Sequence, residues 1–270
     1  MANALLIAGS LFAAFLVLGV GNTVGYHRLL THRAFVARGP TRTALTLLGA
    51  IPGGSPVVWV GLHRLHHASS DGPDDPHSPT RGFAWAHCGW LIGTTNPLLC
   101  ALFAISGFGQ QAAIVWHDLL RVAGRKPPVW RQLCPDLMTE RLMRGLDAPG
   151  VMPALFAGQV AVVWLIAGGW GVLWLWIVHL LLTNASWSIN SVCHSARFGS
   201  RPFDTKEGSR DVAWLARLTL GEGFHNSHHR YPRSARHAPA GGPDLSWSII
   251  QGLCRLGLAS DPWLPNARRR

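Results

Sequence analysis

The sequence predicts an all-α integral membrane protein, with about three membrane-spanning helices and a helical cap on one side of the bilayer. Only 14% of its 270 residues are charged while 48% are hydrophobic, which is typical of a chain that lies partly in lipid. Two long windows, residues 1–27 and 148–193, contain no Lys, Arg, Asp or Glu. The 24 basic residues outnumber the 13 acidic ones, and all of them lie outside those windows.

The first charge-free window predicts one retained span over about residues 4–24. Its apolar run, Ala4–Val20, reaches with its uncharged flanks the roughly 20 residues that a membrane-spanning helix needs. A cleaved signal peptide is the alternative interpretation. It is disfavoured because no positively charged segment precedes the apolar run and no small-residue cleavage site follows it before Tyr26.

The second window predicts two antiparallel spans, at about residues 151–167 and 172–189. One continuous helix over the window would be about 70 Å long, far more than a bilayer needs. Gly168-Gly169-Trp170-Gly171 interrupts the apolar run, which is typical of a turn with an aromatic residue at the membrane interface.

Topology follows from the tendency of basic loops to stay in the cytoplasm. The cap is expected to be cytoplasmic and to comprise residues 28–147 and 194–260, followed by a basic tail at 261–270. The N-terminus and the Gly-rich turn are then outside. Two further apolar stretches, Ala44–Val60 and Cys88–Phe108, contain Pro and Gly and are predicted to be interfacial or re-entrant.

Nine of the 14 histidines fall in four short groups on the predicted cytoplasmic side. On a helix, positions i, i+3 and i+4 share a face, so each HxxHH group directs its imidazoles into one volume. The rings of an HxxxxH pair point about 140° apart on a regular α-helix, so they could bracket one site or serve two neighbouring metals. The groups are HxxxxH at His27 and His32, HxxHH at His63, His66 and His67, NxxxH at Asn190 and His194, and HxxHH at His225, His228 and His229.

These groups predict a site for two metal ions. Neutral imidazole binds Fe, Zn, Cu and Ni, and nine imidazoles exceed the four ligands of a zinc site. A zinc protease is disfavoured because no HExxH is present, and a serine hydrolase because no GxSxG is present. The net charge of +11 suggests nucleic acid, but the basic residues are dispersed and form no platform with aromatic residues, so we expect no nucleic-acid partner.

The remaining histidines are assigned structural roles. His77 is predicted to be a loop residue held by Asp75, with a role behind the metal ligands as the alternative. His179 is predicted to make a hydrogen bond between helices inside a span. His87 is interpreted as an interfacial polar residue and His237 as part of a basic loop.

Four stretches together resemble the membrane-bound fatty acid desaturases, especially the acyl-CoA Δ9 (stearoyl-CoA-type) desaturases and their bacterial relatives. The likeness runs from about Gly21 to Trp263. The stretches are Gly25-Tyr-His-Arg-Leu-Leu-Thr-His-Arg-Ala-Phe35, Trp59 to Pro79 with His63-Arg-Leu-His-His67 and Asp75-Pro-His-Ser-Pro79, Trp187-Ser-Ile-Asn-Ser-Val-Cys-His194, and Gly221-Glu-Gly-Phe-His-Asn-Ser-His-His-Arg-Tyr-Pro232.

The resemblance implies a non-haem di-iron enzyme that uses O2 and two electrons to place a cis double bond, at Δ9, in a long-chain acyl-CoA. Its metal ligands would be His27, His32, His63, His66, His67, His194, His225, His228 and His229, with Asn190 reaching a metal through a water. Trp59 and Trp187 would line a kinked acyl tunnel, and Arg64 and Arg81 would meet the thioester headgroup. Unactivated C–H bonds require a strong oxidant, which a metal with O2 supplies and side chains do not.

The resemblance also implies the cofactors and partners. The cofactors would be two Fe ions, which Zn can replace in overexpressed protein because imidazole discriminates weakly between them. The substrate would be a long-chain acyl-CoA or a lipid acyl chain, in a bacterial inner membrane. No HPGG segment typical of cytochrome b5 is present, so electrons would come from a separate donor, ferredoxin-like or cytochrome b5-like with a reductase.

The chain departs from the family pattern at its start. The family usually has two spans before the first histidine group, whereas the residues before His27 suffice for one. We therefore expect one span fewer, or a natural start further upstream, within a single membrane domain over residues 1–270. Two alternatives stay open for the function: a fatty acyl or lipid hydroxylase on the same histidine scaffold, and a non-catalytic metal-binding membrane protein.

Overall fold

A computed structural model describes residues 2–124 and 129–265. Within these ranges the chain is helical and has no β-strand, only isolated β-bridges such as the one between Val36 and Ser260. Residues 125–128, in the predicted cap, and 266–270, in the predicted tail, lie outside the described residues. The predicted all-α fold is confirmed for the part of the chain that the structure describes.

Helices of very different length make up the fold. The α-helices are α1 (Ala2–Val20), α2 (Pro40–Gly53), α3 (Pro56–Ser69), α4 (Trp90–Ile92), α5 (Pro97–Ala104), α6 (Gly109–Val122), α7 (Val129–Leu133), α8 (Arg141–Leu146), α9 (Val151–Val192), α10 (Ala213–Leu218), α11 (His225–Arg230) and α12 (Leu245–Arg255). Two π-helical segments, Gly21–Thr31 and Trp85–Gly89, and two 3₁₀ turns, Pro79–Arg81 and Leu137–Thr139, complete the described elements.

Two helices, Leu5–Thr31 and Val151–Val192, are long and apolar enough to cross a membrane. The number rises to four if each of two bent pairs is one span: α2 with α3, bent by 79°, and α5 with α6, bent by 105°. The predicted three spans lie within this range. Each bent pair overlaps one of the two stretches that the sequence predicts to be interfacial or re-entrant, although α6 lies beyond the second stretch.

Helix α9 folds back on itself. Gly168 has φ 58° and ψ −149°, a conformation outside the helical region that glycine tolerates well. Gln159 Oε1 lies 3.4 Å from His179 Nε2, and the Phe156 and His179 rings are 5.7 Å apart. In a straight helix residues so far apart in sequence would be separated by about 30 Å, so the two halves are antiparallel. That each half crosses the membrane stays a prediction.

The π-helical segment Gly21–Thr31 packs closely against α2. A Cβ atom added at Gly49 of α2 would lie 2.5 Å from Tyr26 Cδ1 and 2.8 Å from the Gly21 carbonyl oxygen. The buried Tyr26 hydroxyl donates to the Gly54 carbonyl at 2.8 Å. These contacts fix the turn of helix that carries His27 against the base of α3, which carries the second histidine group.

Candidate metal centre

All nine clustered histidines come together, in two adjacent groups. Within each group the potential ligand atoms lie within 4.8 Å of one another. The first group comprises His27, His32, His63, His67 and His228, and the second comprises His66, His194, His225 and His229.

The Nε2 atoms point at one another inside each group. The separations are 2.9 Å between His228 and His67 and 3.0 Å between His67 and His63 in the first group. In the second group His225 Nε2 lies 3.0 Å from His229 Nε2 and 3.1 Å from His194 Nε2. Nitrogen ligands about 2.1 Å from a shared metal are themselves about 3.0–3.4 Å apart, so the donor set fits two metal ions.

Burial keeps the HxxHH histidines of α11 neutral. It lowers the pKa of His225, His228 and His229 well below the ordinary value, and the neighbouring histidines lower it further. Neutral imidazole is the form that binds a metal. The chemistry of the donors therefore agrees with their geometry.

Helical spacing divides each HxxHH group between the two metal positions. In α3, His63 and His67 share the i, i+4 spacing and belong to the first group, whereas His66 belongs to the second. In α11 the division is reversed, because the i, i+4 pair belongs to the second group and His228 to the first. Each helix thus serves both metal positions and holds them next to each other.

The HxxxxH pair lies on a π-helical segment, which changes the expected geometry. The His32 amide donates to the His27 carbonyl at 3.1 Å, the i to i+5 bond of a π-helix. The two rings are therefore neighbours, 4.8 Å apart, instead of pointing about 140° apart as on a regular α-helix. Both contribute to the first group, so the pair does not bridge the two ligand groups.

Carboxylates lie next to the Nδ1 atoms of four of the histidines, on the side of each ring away from the other ligands. His27 Nδ1 donates to Glu222, His66 Nδ1 donates to Asp75 at 2.9 Å, and His194 Nδ1 lies 2.8 Å from Asp71. The fourth contact is from His229 Nδ1 to Glu207, at 3.6 Å. The hydrogen bonds of His27 and His66 fix the tautomer with the proton on Nδ1 and leave Nε2 free to bind a metal.

Sequence reasoning identified only part of this outer layer. Asp75 does contact His77, with 3.4 Å between Nδ1 and the carboxylate, as predicted, but it also contacts His66. Asp71, Glu207 and Glu222 were missed. Asp71 could have been recognised from the sequence, because it is one of few acidic residues and lies only four positions after His67.

A buried ionic network supports Glu222. The fully buried Arg28 places its guanidinium nitrogens 3.0 Å from Glu222 Oε1 and 3.0 Å from Asp244 Oδ1. Burial alone would raise the pKa of Glu222, but His27 and Arg28 outweigh it and hold that pKa below its usual value. His237, interpreted from sequence as part of a basic loop, is buried with its ring 4.4 Å from that of His228.

Two cavities meet at the metal centre. One has a volume of about 320 Å³ and the other of about 90 Å³. The residues that line both are Trp59, His63, Ser186 and Asn190. Together the cavities form a path past His63 of the first ligand group, and the Trp59 ring stacks on the His63 ring at 5.2 Å.

The predicted substrate residues are only partly at this path. Trp59 and Trp187 line the larger cavity, and Asn190, the predicted water-mediated ligand, lines both. Arg64 instead donates to Asp136 at 2.7 Å, and the Arg81 guanidinium lies over the Trp85 ring at 3.3 Å. Neither arginine is among the residues that line the two cavities, so their contact with a headgroup stays a prediction.

The chain is similar to known fatty acid desaturases over most of its length. The profile of a family described as fatty acid desaturase matches residues 3–239. An sn-1 stearoyl-lipid 9-desaturase of Anabaena variabilis is 33% identical over 255 residues, covering 93% of this chain and 81% of the relative. An sn-2 palmitoyl-lipid 9-desaturase of Nostoc sp. is 31% identical, covering 92% and 78%. An acyl-CoA C20 Delta5-desaturase of Anemone leveillei is 34% identical, covering 94% and 73%.

Proposed function

The chain belongs to the fatty acid desaturase family, and we propose that it places a cis double bond at Δ9 of a long-chain acyl group in an O2-dependent reaction. The observation that carries the proposal is the division of nine histidines into groups of five and four beside two adjoining cavities. When bound there, two irons would supply the oxidation of neighbouring methylenes, with O2 and two electrons from a separate donor protein.

The residues of the chain bind and orient the substrate in this proposal. The smaller cavity is lined by apolar residues of α1 and α9, among them Phe15 and Leu182, and suits the methyl end of the acyl chain. The larger cavity includes the paired side chains of Asp118 and Arg121, 3.3 Å apart, and suits the end linked to the carrier. The carbons to be oxidised then lie at the junction, beside Trp59 and Asn190.

The acyl carrier is proposed to be CoA, with a lipid as the alternative. The sequence resemblance favours CoA, and one of the relatives above is named as an acyl-CoA desaturase. The names of the two cyanobacterial relatives favour a lipid-linked chain. Asp118 and Arg121 neutralise each other, so neither carrier is favoured by net charge at this end of the cavity.

The proposal is tested by lipid profiling of a desaturase-deficient bacterial host that expresses the chain. We expect monounsaturated chains with the double bond at carbon 9, first in the acyl-CoA pool if CoA is the carrier and first in membrane lipid otherwise. A mass loss of two hydrogens identifies desaturation, whereas a gain of one oxygen identifies the hydroxylase alternative. If the host that expresses the wild-type chain forms the same products as the host that expresses His228→Ala, the proposal is contradicted.

A further inference from the structure

His87 contacts the wall of the larger cavity from outside the two ligand groups. It lies in the π-helical segment Trp85–Gly89, and its Nε2 is 3.1 Å from Asn184 Oδ1 while its Nδ1 is 3.0 Å from Ser191 Oγ. Asn184 and Ser191 lie on α9 on either side of Trp187, which lines the cavity. The ring of His87 therefore joins two turns of α9 across the base of Trp187.

The hydrogen-bond network assigns the proton of His87. Asn184 Nδ2 donates to the carbonyls of Ala104 at 2.9 Å and Leu180 at 2.8 Å, so its Oδ1 is the acceptor that faces His87. His87 Nε2 must therefore donate, while its Nδ1 lies 3.0 Å from the Ser191 hydroxyl oxygen, which itself lies 3.2 Å from the Trp187 carbonyl. Burial lowers the pKa of His87, so the neutral ring that donates to Asn184 persists at neutral pH.

Ring contacts hold the Trp187 indole on two sides. The His87 ring meets it edge-on at 5.8 Å, and the Phe103 ring stacks on it at 5.6 Å with an interplanar angle of 19°. The bond from Asn184 to Ala104 fixes the backbone next to Phe103. Trp187 is 4% exposed, so its position depends on these neighbours.

We propose that His87 is a positioning residue that sets which carbon of the acyl chain faces the metal centre, by fixing the Trp187 ring. This inference rests on the proposed desaturase function. A methylene chain has no polar group by which one carbon can be recognised, so its register depends on the shape of the walls. Trp59, stacked on His63, forms one wall of the larger cavity, and Trp187 forms another.

Loss of His87 is therefore expected to displace the double bond. In His87→Ala, the share of product with the double bond at a neighbouring position should rise about tenfold, which corresponds to about 1.4 kcal/mol between registers. His87→Gln keeps an amide N–H that can donate to Asn184 and is expected to restore most of the wild-type position. A change confined to stability would lower the amount of product without moving the double bond.

The experiment compares double-bond positions, measured by mass spectrometry, in a desaturase-deficient host. The matched control is Gln111→Ala, which removes a 3.1 Å hydrogen bond to His179 of α9 without touching Trp187. We expect the control to keep a single product position. If His87→Ala does not accumulate, Ser191→Ala removes one partner of His87 with little change in volume and must show the displaced double bond.

Three results would overturn or redirect the inference. A single wild-type position in His87→Ala would overturn it. Equal scatter in Gln111→Ala would show that any loosening of α9 moves the double bond, which also overturns a specific role for His87. A wild-type chain that forms no unsaturated product would contradict the proposed function itself, independently of His87.

Discussion

His66 and His228 belong to different ligand groups, so each tests one of the two metal positions. We expect His66→Ala and His228→Ala each to abolish desaturation and to lower bound iron from about two ions per chain to about one, since a position that loses a ligand binds iron weakly. Membrane insertion should be unchanged, because neither residue lies in a predicted span. Iron analysis of purified protein and product analysis check this.

The control for these variants is Arg255→Ala, at the exposed end of α12. It should retain both irons and full turnover. Full turnover in either histidine variant would contradict the metal assignment, as would an active purified enzyme with one metal ion or none.

The carboxylates behind the ligands make a second prediction at the scale of single residues. Asp75→Asn keeps the shape of the side chain next to His66 but removes the charge that increases the basicity of the imidazole. We expect metal affinity to fall by about 10- to 100-fold, the usual cost of changing such a partner. Competition with a chelator at constant pH measures the affinity.

Asp204→Asn is the matched control for Asp75→Asn. Asp204 is fully exposed and its nearest cation, Arg201, lies 3.6 Å away, so its loss should leave metal affinity unchanged. An affinity equal to that of the wild type in Asp75→Asn would show that the contact with His66 contributes nothing to metal binding.

At the scale of elements, the position of His27 and His32 depends on the close crossing of α2 and the π-helical segment Gly21–Thr31. Gly49→Ala would place a methyl group 2.5 Å from the ring of Tyr26, the residue directly before His27. Because α2 or the π-helical segment must shift, we expect a loss of stability of about 1–3 kcal/mol and weaker iron retention. Thermal unfolding in detergent measures the first and metal analysis the second.

Gly9→Ala in α1 is the control, since a Cβ there meets nothing within 4 Å. It should be neutral or slightly stabilising, because alanine favours helix more than glycine does. Equal losses of stability in the two variants would mean that the crossing between α2 and the π-helical segment tolerates a side chain.

The sequence predicted the elements whose cause is local. The charge-free windows identify both long helices, and the i, i+3, i+4 spacing of His63, His66 and His67 predicts a common face on a helix. The π-helical pitch at His27 and His32 was not predicted, because it arises where the segment crosses α2 through glycine contacts. A regular α-helix was the only geometry that the spacing itself suggested.

Contacts between distant parts of the chain were also beyond sequence reasoning. Glu222 lies 195 positions along the chain from His27, and nothing in either neighbourhood indicates the pairing. His179 was predicted to make a hydrogen bond between helices, and Gln111 and Gln159 are the partners that the structure identifies. The chemistry of a buried polar residue was therefore predictable, whereas its partners depend on the packing of the whole molecule.

At the scale of the whole molecule, the basic residues and the histidine groups predict the same cytoplasmic side. Helix α9 reverses at Gly168, so the turn that follows lies on the side opposite to α11 if both halves cross the bilayer. We expect Trp170→Cys, at a position that is 81% exposed, to react with a membrane-impermeant maleimide in intact cells. Arg217→Cys, at an exposed position of α10, should react only after the membrane is opened.

This labelling pattern is expected because arginine-rich segments are retained in the cytoplasm. The electron donor and an acyl-CoA pool would also be available to the metal centre there. The unaltered chain is the control and should show little labelling in intact cells. Four of its cysteines are buried, and the fifth, Cys254, lies in the predicted cytoplasmic cap. Labelling of Arg217→Cys in intact cells would place the metal centre outside and contradict the topology. Labelling of neither variant before permeabilisation would show that the Gly168 turn does not reach the outer face, so that α9 enters the membrane without crossing it.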